Sequence, residues 1–341
     1  MSLKDRVGSV EHAIEVEELR SALARAQQEV VKAKAKTDHL VQATITAARD
    51  AVLAHGPIKA VPAPKPDKRR KHPEVALMVM GDWQGHKVTT SYNGEVMKTR
   101  VLAYMDKVAR ITEIQRADHP VTKGVVSFGG DMVEGLFNYP TQPFEIDATL
   151  FEQYVSVSML LVDVVRRALA LFDTVEVVAE WGNHGRIGSK RDAVPRSDNV
   201  DRMAYELARQ LLKDEPRVTW PDCPEDIQRL EIGNYRALVI HGDEIGRGGF
   251  SSPNTIVQHV NRWRSGAYPW AFTDCYIHHY HQHQEWALAD GKGSVYMTGS
   301  TESDNRYARE TMAASAIPSQ RLHFIDPEAG RVTAQYKVWL D

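Results

Sequence analysis

The sequence predicts an α/β fold in which helices cover a buried β-sheet, preceded by a long N-terminal helix. Between residues 74 and 341, apolar runs of strand length alternate with stretches of helical periodicity. Short polar clusters follow several of these runs directly. Because ligand sites in such folds lie at the carboxyl ends of strands, we expect the clusters to meet along one edge of the sheet.

The first 55 residues are predicted to form one amphipathic or coiled-coil helix. They contain no proline, and no glycine follows Gly8 before Gly56, while the good helix formers Ala, Glu, Lys, Gln and Arg dominate. Two interpretations remain open: a helix that docks on its own domain, and an oligomerisation helix that pairs with a second copy of the chain. We favour self-association because a linker follows. The a/d heptad positions are Val16, Leu19, Leu23, Ala26, Val30, Ala33 and Leu40.

The linker spans residues 56–73 and is rich in proline and lysine. Its five prolines exclude helix and sheet and favour an extended, semi-rigid chain. The basic run from Lys68 to Lys71 has two interpretations: a solvated tether, or a contact with a phosphate backbone beside the following domain.

Residues 74–341 form the predicted catalytic domain. The apolar runs predict six strands and the periodic segments three helices. The strands are predicted at 75–80, 124–128, 175–181, 235–241, 274–280 and 294–299, and the helices at 93–117, 147–172 and 198–212.

Composition limits the classes of protein to consider. A net charge of −3 gives no overall attraction for nucleic acid, although local basic patches could provide it. Two cysteines, Cys223 and Cys275, are too few for a disulfide framework or a thiolate metal site. The N-terminus lacks the apolar core of a signal peptide, and no run of 18 apolar residues occurs. We therefore expect a cytoplasmic protein without a membrane partner.

The polar clusters supply carboxylate, amide and imidazole groups from five strand ends. Each has a structural explanation when taken alone, because an Asp after a strand is often a turn residue and a His at a strand end can be a core residue. Four histidines between residues 278 and 283 are harder to explain, since buried imidazoles without partners are costly. The clusters are Gly81–His86, Gly130–Glu134, Gly182–Gly185, His241–Asp243 and His278–His283.

In chain order these clusters read D-x-Q, G-D-x-x-E, G-N-H-G, H-G-D and H-x-H. This order resembles that of the calcineurin-like metallophosphoesterase superfamily, whose motifs are D-x-H, G-D-x-x-D, G-N-H-D/E, a lone H and G-H-x-H. The resemblance covers roughly residues 75–300. It implies a layered β-sandwich flanked by helices, two divalent metal ions and hydrolysis of phosphoric esters. Mn²⁺ is favoured, with Mg²⁺, Fe or Zn²⁺ as alternatives, because the ligands are oxygens and imidazoles.

The resemblance also assigns roles to individual residues. Asp131 would bridge both metals, and His184 would lie beside them as the catalytic residue that protonates the leaving oxygen or stabilises the transition state. Asp82, Gln84 and His281 belong to the first metal. The complete set of implied ligands is Asp82, Gln84, Asp131, Asn183, His241, His279 and His281.

Two departures from the family pattern concern the first metal. Gln84 stands where the family has histidine, and an amide oxygen is a weaker ligand. His86 is an alternative ligand if the loop folds differently. The register of the last motif is also open, because His281 and His283 fit H-x-H by spacing as well as His279 and His281.

Two further departures concern the surroundings of the catalytic histidine. Glu134 replaces the last Asp of the second motif and can serve as a supporting residue. Gly185 replaces the acidic residue that usually follows His184, so another carboxylate, Asp131 or Asp243, is expected to orient the imidazole.

Three local features favour a nucleic-acid substrate. The segment from Gly130 to Gln142 resembles the exonuclease subunit of archaeal family-D DNA polymerases, and the tail at 318–332 resembles phage-encoded DNA repair exonucleases related to SbcD. Arg186, Lys190 and Arg191 follow the catalytic histidine, where flanking phosphates would lie.

We therefore expect a DNA exo- or endonuclease, located in the host cytoplasm if it is phage-encoded. Two alternatives remain: a small-molecule phosphatase or nucleotide phosphodiesterase, and a catalytically weakened scaffold module.

Overall fold

A computed structural model describes residues 72–138, 141–188, 195–222, 225–245, 251–305 and 317–341, together with separate positions and short stretches between 43 and 69. The chain divides into two compact units, Met1–Ala54 and His55–Asp341. In the first unit the described residues are Ala43, Thr46, Asp50 and Ala54, and all four are helical. The heptad positions of the predicted N-terminal helix lie outside the described residues, so its role in self-association stays a prediction.

The described part of the second unit contains two β-sheets. Strands are numbered β1 to β11 in chain order, and their bounds are Glu74–Met80, Val121–Gly129, Thr174–Glu180, Val218–Thr219, Ile227–Ile232, Tyr235–Ile240, Asp274–Ile277, Gln284–Ala287, Ser294–Met297, Ser319–Asp326 and Arg331–Trp339. The six-stranded sheet has the order β11-β10-β1-β2-β3-β4 and the five-stranded sheet the order β5-β6-β7-β9-β8.

Each sheet combines parallel and antiparallel strands, and in the six-stranded sheet parallel β4 forms the edge opposite β11. Strands β1 to β4 are parallel, whereas β10 and β11 run antiparallel to their neighbours. In the second sheet β6, β7 and β9 are parallel and are flanked by antiparallel β5 and β8. The carboxyl ends of the parallel strands in each sheet therefore point to one edge, where loop residues can converge.

Four α-helices cover the sheets, and side chains cap their amino termini. They are α1 Gly94–Gln115, α2 Leu150–Leu171, α3 Val200–Leu211 and α4 Pro253–Arg262. Thr149 and Glu152 form a reciprocal capping box at the start of α2. Asn93, Asn199 and Ser252 cap the other three helices through side-chain oxygens that accept backbone N–H groups.

The core lies between the two sheets and continues beneath the helices. Alternate residues of β1, among them Leu77, pack in one cluster with Val239 and Tyr276 of the second sheet. The opposite face of the second sheet packs against Ile256 and Val260 of α4. On the first sheet, the hydroxyl of Tyr104 in α1 donates to the backbone carbonyl of Arg321 in β10 at 2.7 Å. These layers confirm the predicted α/β class, with two packed sheets and flanking helices.

All six predicted strands and all three predicted helices of this domain are present, with shifted ends. The prediction missed β4, β5, β8, β10, β11 and α4. The strand β10 shows why, because Gln320, Arg321 and His323 are buried in it and give its sequence a polar character. Its polar side chains bond to other loops, as described below.

The described part of the linker follows the surface of the second unit without regular secondary structure. The carbonyl of Lys59 accepts from Arg166 at 2.8 Å and that of Val61 accepts from Arg217 at 2.6 Å. Arg69 pairs with Asp67 at 2.7 Å. The rest of the basic run lies outside the described residues. No helix among the described residues has the length and apolar character needed to cross a membrane.

Candidate metal centre

The five polar clusters meet because they follow strands β1, β2, β3, β6 and β7. Backbone hydrogen bonds tie neighbouring clusters together: Asp82 N donates to Gly130 O and His278 N to His241 O, both at 2.9 Å. Glycines permit the close approach, since a Cβ on Gly182 would lie 2.1 Å from Asp131 Oδ1. The two sheets thus contribute to one site.

Asp131 lies at the centre of this site and is 1% exposed. Its Oδ2 is 3.1 Å from His241 Nε2, and that nitrogen is 3.2 Å from Asn183 Oδ1. One ligand atom each of Asp131, His241 and His279 lie within 4.8 Å of one another, a spacing that suits one metal ion. The structure therefore brings together the residues predicted for the bridging position and the second metal.

The residues predicted for the first metal surround Asp82, which is fully buried. Its two carboxylate oxygens accept from His279 N at 3.0 Å, and Oδ1 is 3.7 Å from His281 Nε2. The Gln84 amide lies between the two positions, with Nε2 3.3 Å from Asp131 Oδ2 and 3.1 Å from His281 Nε2. Gln84 Oε1 is buried without a hydrogen-bond partner. A divalent cation would satisfy this unpartnered oxygen, whereas the Nε2 that faces Asp131 and His281 is a donor and cannot bind a cation.

The two alternative ligands have other surroundings. His86 lies 2.6 Å from Asp147 through Nδ1 and 2.6 Å from Ser156 through Nε2, so both ring nitrogens are engaged elsewhere. Burial lowers the pKa of His283 to about 3, and the charges acting on it are the cations Arg321 and Lys337. The structure thus favours the register in which the His279 side chain lies with Asp131 and His241 and that of His281 lies beside Asp82.

We expect His281→Ala to weaken Mn²⁺ binding by at least about tenfold, because it removes an imidazole beside Asp82. His86→Ala, the matched control, should change the affinity by less than about twofold. Isothermal titration of metal-free protein measures both. An equal loss in the two variants would contradict the assignment of His281 to the first metal position.

Backbone strain is concentrated at the site. Eight non-glycine residues among those described have a positive φ angle, in the sparsely populated left-handed region. Such conformations persist where the surrounding structure imposes them, and they cluster at functional sites. Five of the eight are predicted metal ligands: Asp82, Gln84, Asp131, His279 and His281.

Burial and neighbouring charges shift the pKa values of the cluster in opposite directions. Burial raises the pKa of Asp82 to about 6 despite the nearby imidazoles of His281 and His241. Burial also acts to raise the pKa of Asp131, but His241 and His184 outweigh it and hold that pKa well below its usual range. Because ligands bind a metal in their deprotonated forms, cation binding would compete with protons on these imidazoles.

The catalytic candidate His184 is held by the second motif. Its Nδ1 is 3.0 Å from the carbonyl of Glu134 and 3.2 Å from Oε2 of the same residue, and Gln142 Nε2 lies 3.3 Å away. Its backbone N donates to Asp131 Oδ1 at 2.8 Å. Burial acts to lower the pKa of His184, but the charges of Asp131 and Glu134 outweigh it and raise that pKa to about 9. The imidazole is therefore protonated at neutral pH.

The residue that orients His184 differs from the expectation. Glu134 contacts Nδ1, whereas Asp131 reaches only 3.9 Å from Nε2. Asp243 is not the partner at Nδ1, because it pairs with Arg186 at 2.6 Å and Arg196 at 3.3 Å. The longer side chain of Glu134, in the place of the family's Asp, reaches the imidazole.

At Gly185, where the motif that the sequence resembles has an acidic residue, a side chain would meet close contacts. A Cβ there would lie 2.3 Å from Asn199 Oδ1, the atom that caps α3 by accepting from Asp201 N at 2.8 Å. Restoring the motif with Gly185→Asp should lower the free energy of unfolding by about 1–3 kcal/mol, as overpacking does. Urea denaturation measures this loss. Gly185→Ala should show most of the same loss of stability, because its Cβ already meets this contact. Wild-type stability in both variants would show that the loop has room for a side chain.

The sequence did not single out several residues that support the site. The buried carboxylate of Asp201 accepts from Met132 N, Val133 N and Gly182 N at 2.9–3.2 Å, and so joins the second and third motifs. Gln320 of β10 accepts from Gly81 N at 2.8 Å. Nothing local distinguishes Asp201 from an ordinary acidic residue in the first turn of a helix.

The residues predicted to contact substrate phosphates are only partly described. Arg186 is paired with Asp243 through a partly buried contact, and Lys190 and Arg191 lie outside the described residues. The aromatic side chains of Trp83, Trp181 and Tyr280, which neighbour the motifs in sequence, are buried.

No known sequence family matches the chain, and no curated protein matches it. Solved structures with a similar chain trace include Vps29 complexed with Zn²⁺ from Entamoeba histolytica, at 11% identity and a TM-score of 0.35, covering 78% of this chain and 99% of that one. A hypothetical protein from Pyrococcus horikoshii is 15% identical with a TM-score of 0.38, and the match covers 78% of this chain and 89% of that one. A putative 5′-nucleotidase from Staphylococcus aureus is 12% identical with a TM-score of 0.33, and the match covers 78% of this chain and 54% of that one. At these identities and TM-scores, the similarity supports no assignment of activity.

Proposed function

We propose that the protein is a metal-dependent phosphodiesterase that hydrolyses phosphodiester bonds of nucleic acid, as a DNA exo- or endonuclease. One observation carries the proposal: strand ends from two sheets place Asp131, His241 and His279 within 4.8 Å of one another. Asp82, Gln84 and the other predicted ligands surround them, several with strained backbone. Oxygen and imidazole donors gathered in this way suit a pair of divalent cations.

Asp82, Gln84 and His281 would hold the first cation, and the second would be held by Asn183, His241 and His279, with Asp131 between the two. Divalent cations such as Mn²⁺, Mg²⁺, Fe or Zn²⁺ bound there would act as Lewis acids toward phosphoryl oxygens. The protein's own contribution is to fix these donors in a buried cluster, so that little reorganisation is needed when substrate binds.

His184 supplies the proton in this proposal. Its Nδ1 lies 3.2 Å from Glu134 Oε2, and its Nε2 lies 3.9 Å from Asp131 Oδ2. The raised pKa of about 9 keeps the imidazole protonated at neutral pH. It can therefore donate a proton to the leaving oxygen, a step that typically contributes about 10²–10⁴-fold to the rate.

The nucleic-acid substrate is supported by the second motif and the segment that follows it. Gln142, from the part of the sequence that resembles a polymerase exonuclease subunit, lies 3.3 Å from His184 Nδ1. Asn138 of the same segment donates to the carbonyl of Asn183. The segment therefore supports both the catalytic histidine and a metal ligand.

A nucleotide phosphodiesterase is the second candidate. The pairing of Arg186 with Asp243 favours it, because this arginine is then not an open cation for a long polyanion. A scaffold without activity is disfavoured, since the protein retains Asp131 and Asn183 in the buried cluster.

The test incubates the protein with Mn²⁺, Mg²⁺, Fe²⁺ or Zn²⁺ and labelled single- or double-stranded DNA, beside bis-p-nitrophenyl phosphate and a nucleotide cyclic diester. His184→Ala is the control for contaminating nucleases. We expect metal-dependent cleavage of both DNA and the aryl ester. Cleavage of the small esters without DNA would overturn the nuclease and support the nucleotide phosphodiesterase. If no substrate were cleaved with any of the metals, the proposal that the protein is a phosphodiesterase would be wrong.

A further inference from the structure

A buried lysine lies between the carboxylates that hold two histidines of the site. The side chain of Lys87 is 10% exposed, and its Nζ is 3.1 Å from Glu302 Oε1 and 3.8 Å from Glu134 Oε1. The second oxygen of each carboxylate contacts an imidazole: Glu302 Oε2 is 3.0 Å from His281 Nδ1, and Glu134 Oε2 is 3.2 Å from His184 Nδ1. The five side chains form a continuous row of alternating groups.

Three loops bring this row together. Lys87 follows the first motif, and its backbone N donates to the carbonyl of Gln84 at 2.9 Å. Glu134 ends the second motif. Glu302 follows β9, and its backbone N donates to Ser300 Oγ at 2.9 Å. The row therefore spans more than 200 residues of sequence, and the lysine is its only cation between the two imidazoles.

The charges in the row depend on one another. Burial acts to lower the pKa of Lys87, but Glu134 and Glu302 outweigh it and raise that pKa above its ordinary value. Removing one member of such a buried set leaves an uncompensated charge, so the remaining members must move or change protonation.

We propose that Lys87 is a positioning residue that couples the orientation of the catalytic His184 to that of the metal-binding His281 through Glu134 and Glu302. The proposal rests on the function proposed above. Each carboxylate lies within ion-pair distance of the Nδ1 of its histidine, and the backbone carbonyl of Glu134 also lies 3.0 Å from His184 Nδ1; carboxylates beside metal-binding histidines orient the imidazole in this way. Because the carboxylates of Glu134 and Glu302 both face the ammonium group of Lys87, a change in the position of one histidine is transmitted to the other.

The proposal predicts an effect of each glutamate on the distant histidine. Glu302→Gln should shift the imidazole ¹⁵N signals of His184, which Glu302 does not contact among the described interactions. Glu134→Gln should likewise shift those of His281. Spectra of metal-free protein, assigned with His184→Gln and His281→Gln, measure this without any activity. Signals that move only at the adjacent histidine, in both variants, would overturn the coupling.

The lysine itself is tested with Lys87→Met and the conservative Lys87→Arg. We expect Lys87→Met to weaken Mn²⁺ binding by about 10–100-fold in calorimetry, the loss typical of residues that support metal ligands. In hydrolysis of a methyl phosphodiester of a nucleoside under saturating Mn²⁺, where the poor leaving group requires the general acid, kcat should fall while KM changes by less than about threefold. Lys87→Arg should retain most of the wild-type Mn²⁺ affinity and most of the wild-type kcat. A folded Lys87→Met protein with wild-type metal affinity and imidazole spectra would overturn the proposal.

The readouts separate this proposal from the proposed function. If the wild-type protein hydrolyses no phosphodiester but the cross-effects on His184 and His281 appear, the coupling stands and the activity fails. If hydrolysis occurs and the cross-effects are absent, the activity stands and the coupling fails. Should Lys87→Met not fold, the two glutamine variants decide, because they retain the lysine.

Discussion

Asp131→Asn is expected to reduce hydrolysis of bis-p-nitrophenyl phosphate by at least about 10³-fold, the equivalent of several kcal/mol of lost charge stabilisation. The change preserves the shape of the side chain but removes the one charge that lies 3.1 Å from His241 Nε2. It also places a donor among groups that donate, since Asp131 Oδ1 accepts from His184 N at 2.8 Å. Steady-state kinetics measure the rate, and calorimetry should show Mn²⁺ affinity reduced more than about 100-fold.

Asp243→Asn is the matched control for this prediction. Asp243 is a largely buried carboxylate two residues after His241, but it pairs with Arg186 and Arg196 outside the cluster. We expect its replacement to lower the rate by less than about tenfold, within the range of indirect effects. An Asp131→Asn protein that keeps more than a tenth of the wild-type rate would show that Asp131 does not bridge the proposed metal pair.

His184→Gln is expected to lower kcat by about 10²–10⁴-fold for substrates with poor leaving groups, such as DNA, while Mn²⁺ affinity stays within about twofold. The reason is that His184 donates a proton and does not bind the metal. An ester with a p-nitrophenolate leaving group needs little protonation, so its rate should fall much less. Comparing a methyl and a p-nitrophenyl phosphodiester of the same nucleoside measures this difference. Equal losses on both esters would contradict a general acid.

The pH dependence follows from the same residue. Without bound metal, the charges of Asp131 and Glu134 raise the pKa of His184 to about 9, and cations bound at Asp131 would lower it from that value. The rate of the wild-type protein should therefore fall as the pH rises through the pKa of His184 in the metal-loaded protein, below about 9, and the His184→Gln protein should lack this fall. His86→Gln is the control, because His86 is engaged with Asp147 and Ser156 away from the cluster.

Local sequence patterns were sufficient for the central strands and for the candidate ligands. A buried strand is a run of apolar residues whatever its partners, so β1, β2 and β3 could be located from the sequence. The edge strands and β10 could not, because β10 buries polar side chains and an edge strand such as β11 alternates exposed with partly buried residues along most of its length. The motif residues were recognised because each cluster is contiguous in sequence, although their joint geometry was only implied by the resemblance.

By itself, the sequence determined the α/β class, the positions of the central strands and the set of donors at their ends. Only the tertiary structure decided which donors meet. It placed the Gln84 amide between His281 and Asp131. It also placed Glu134, and not Asp243, beside the imidazole of His184. It also placed Lys87 against Glu302, 215 positions later in the chain. The physical reason is that strand formation depends on side chains adjacent in sequence, whereas a buried charge is stabilised by whichever partners the packing of the two sheets brings within a few ångströms.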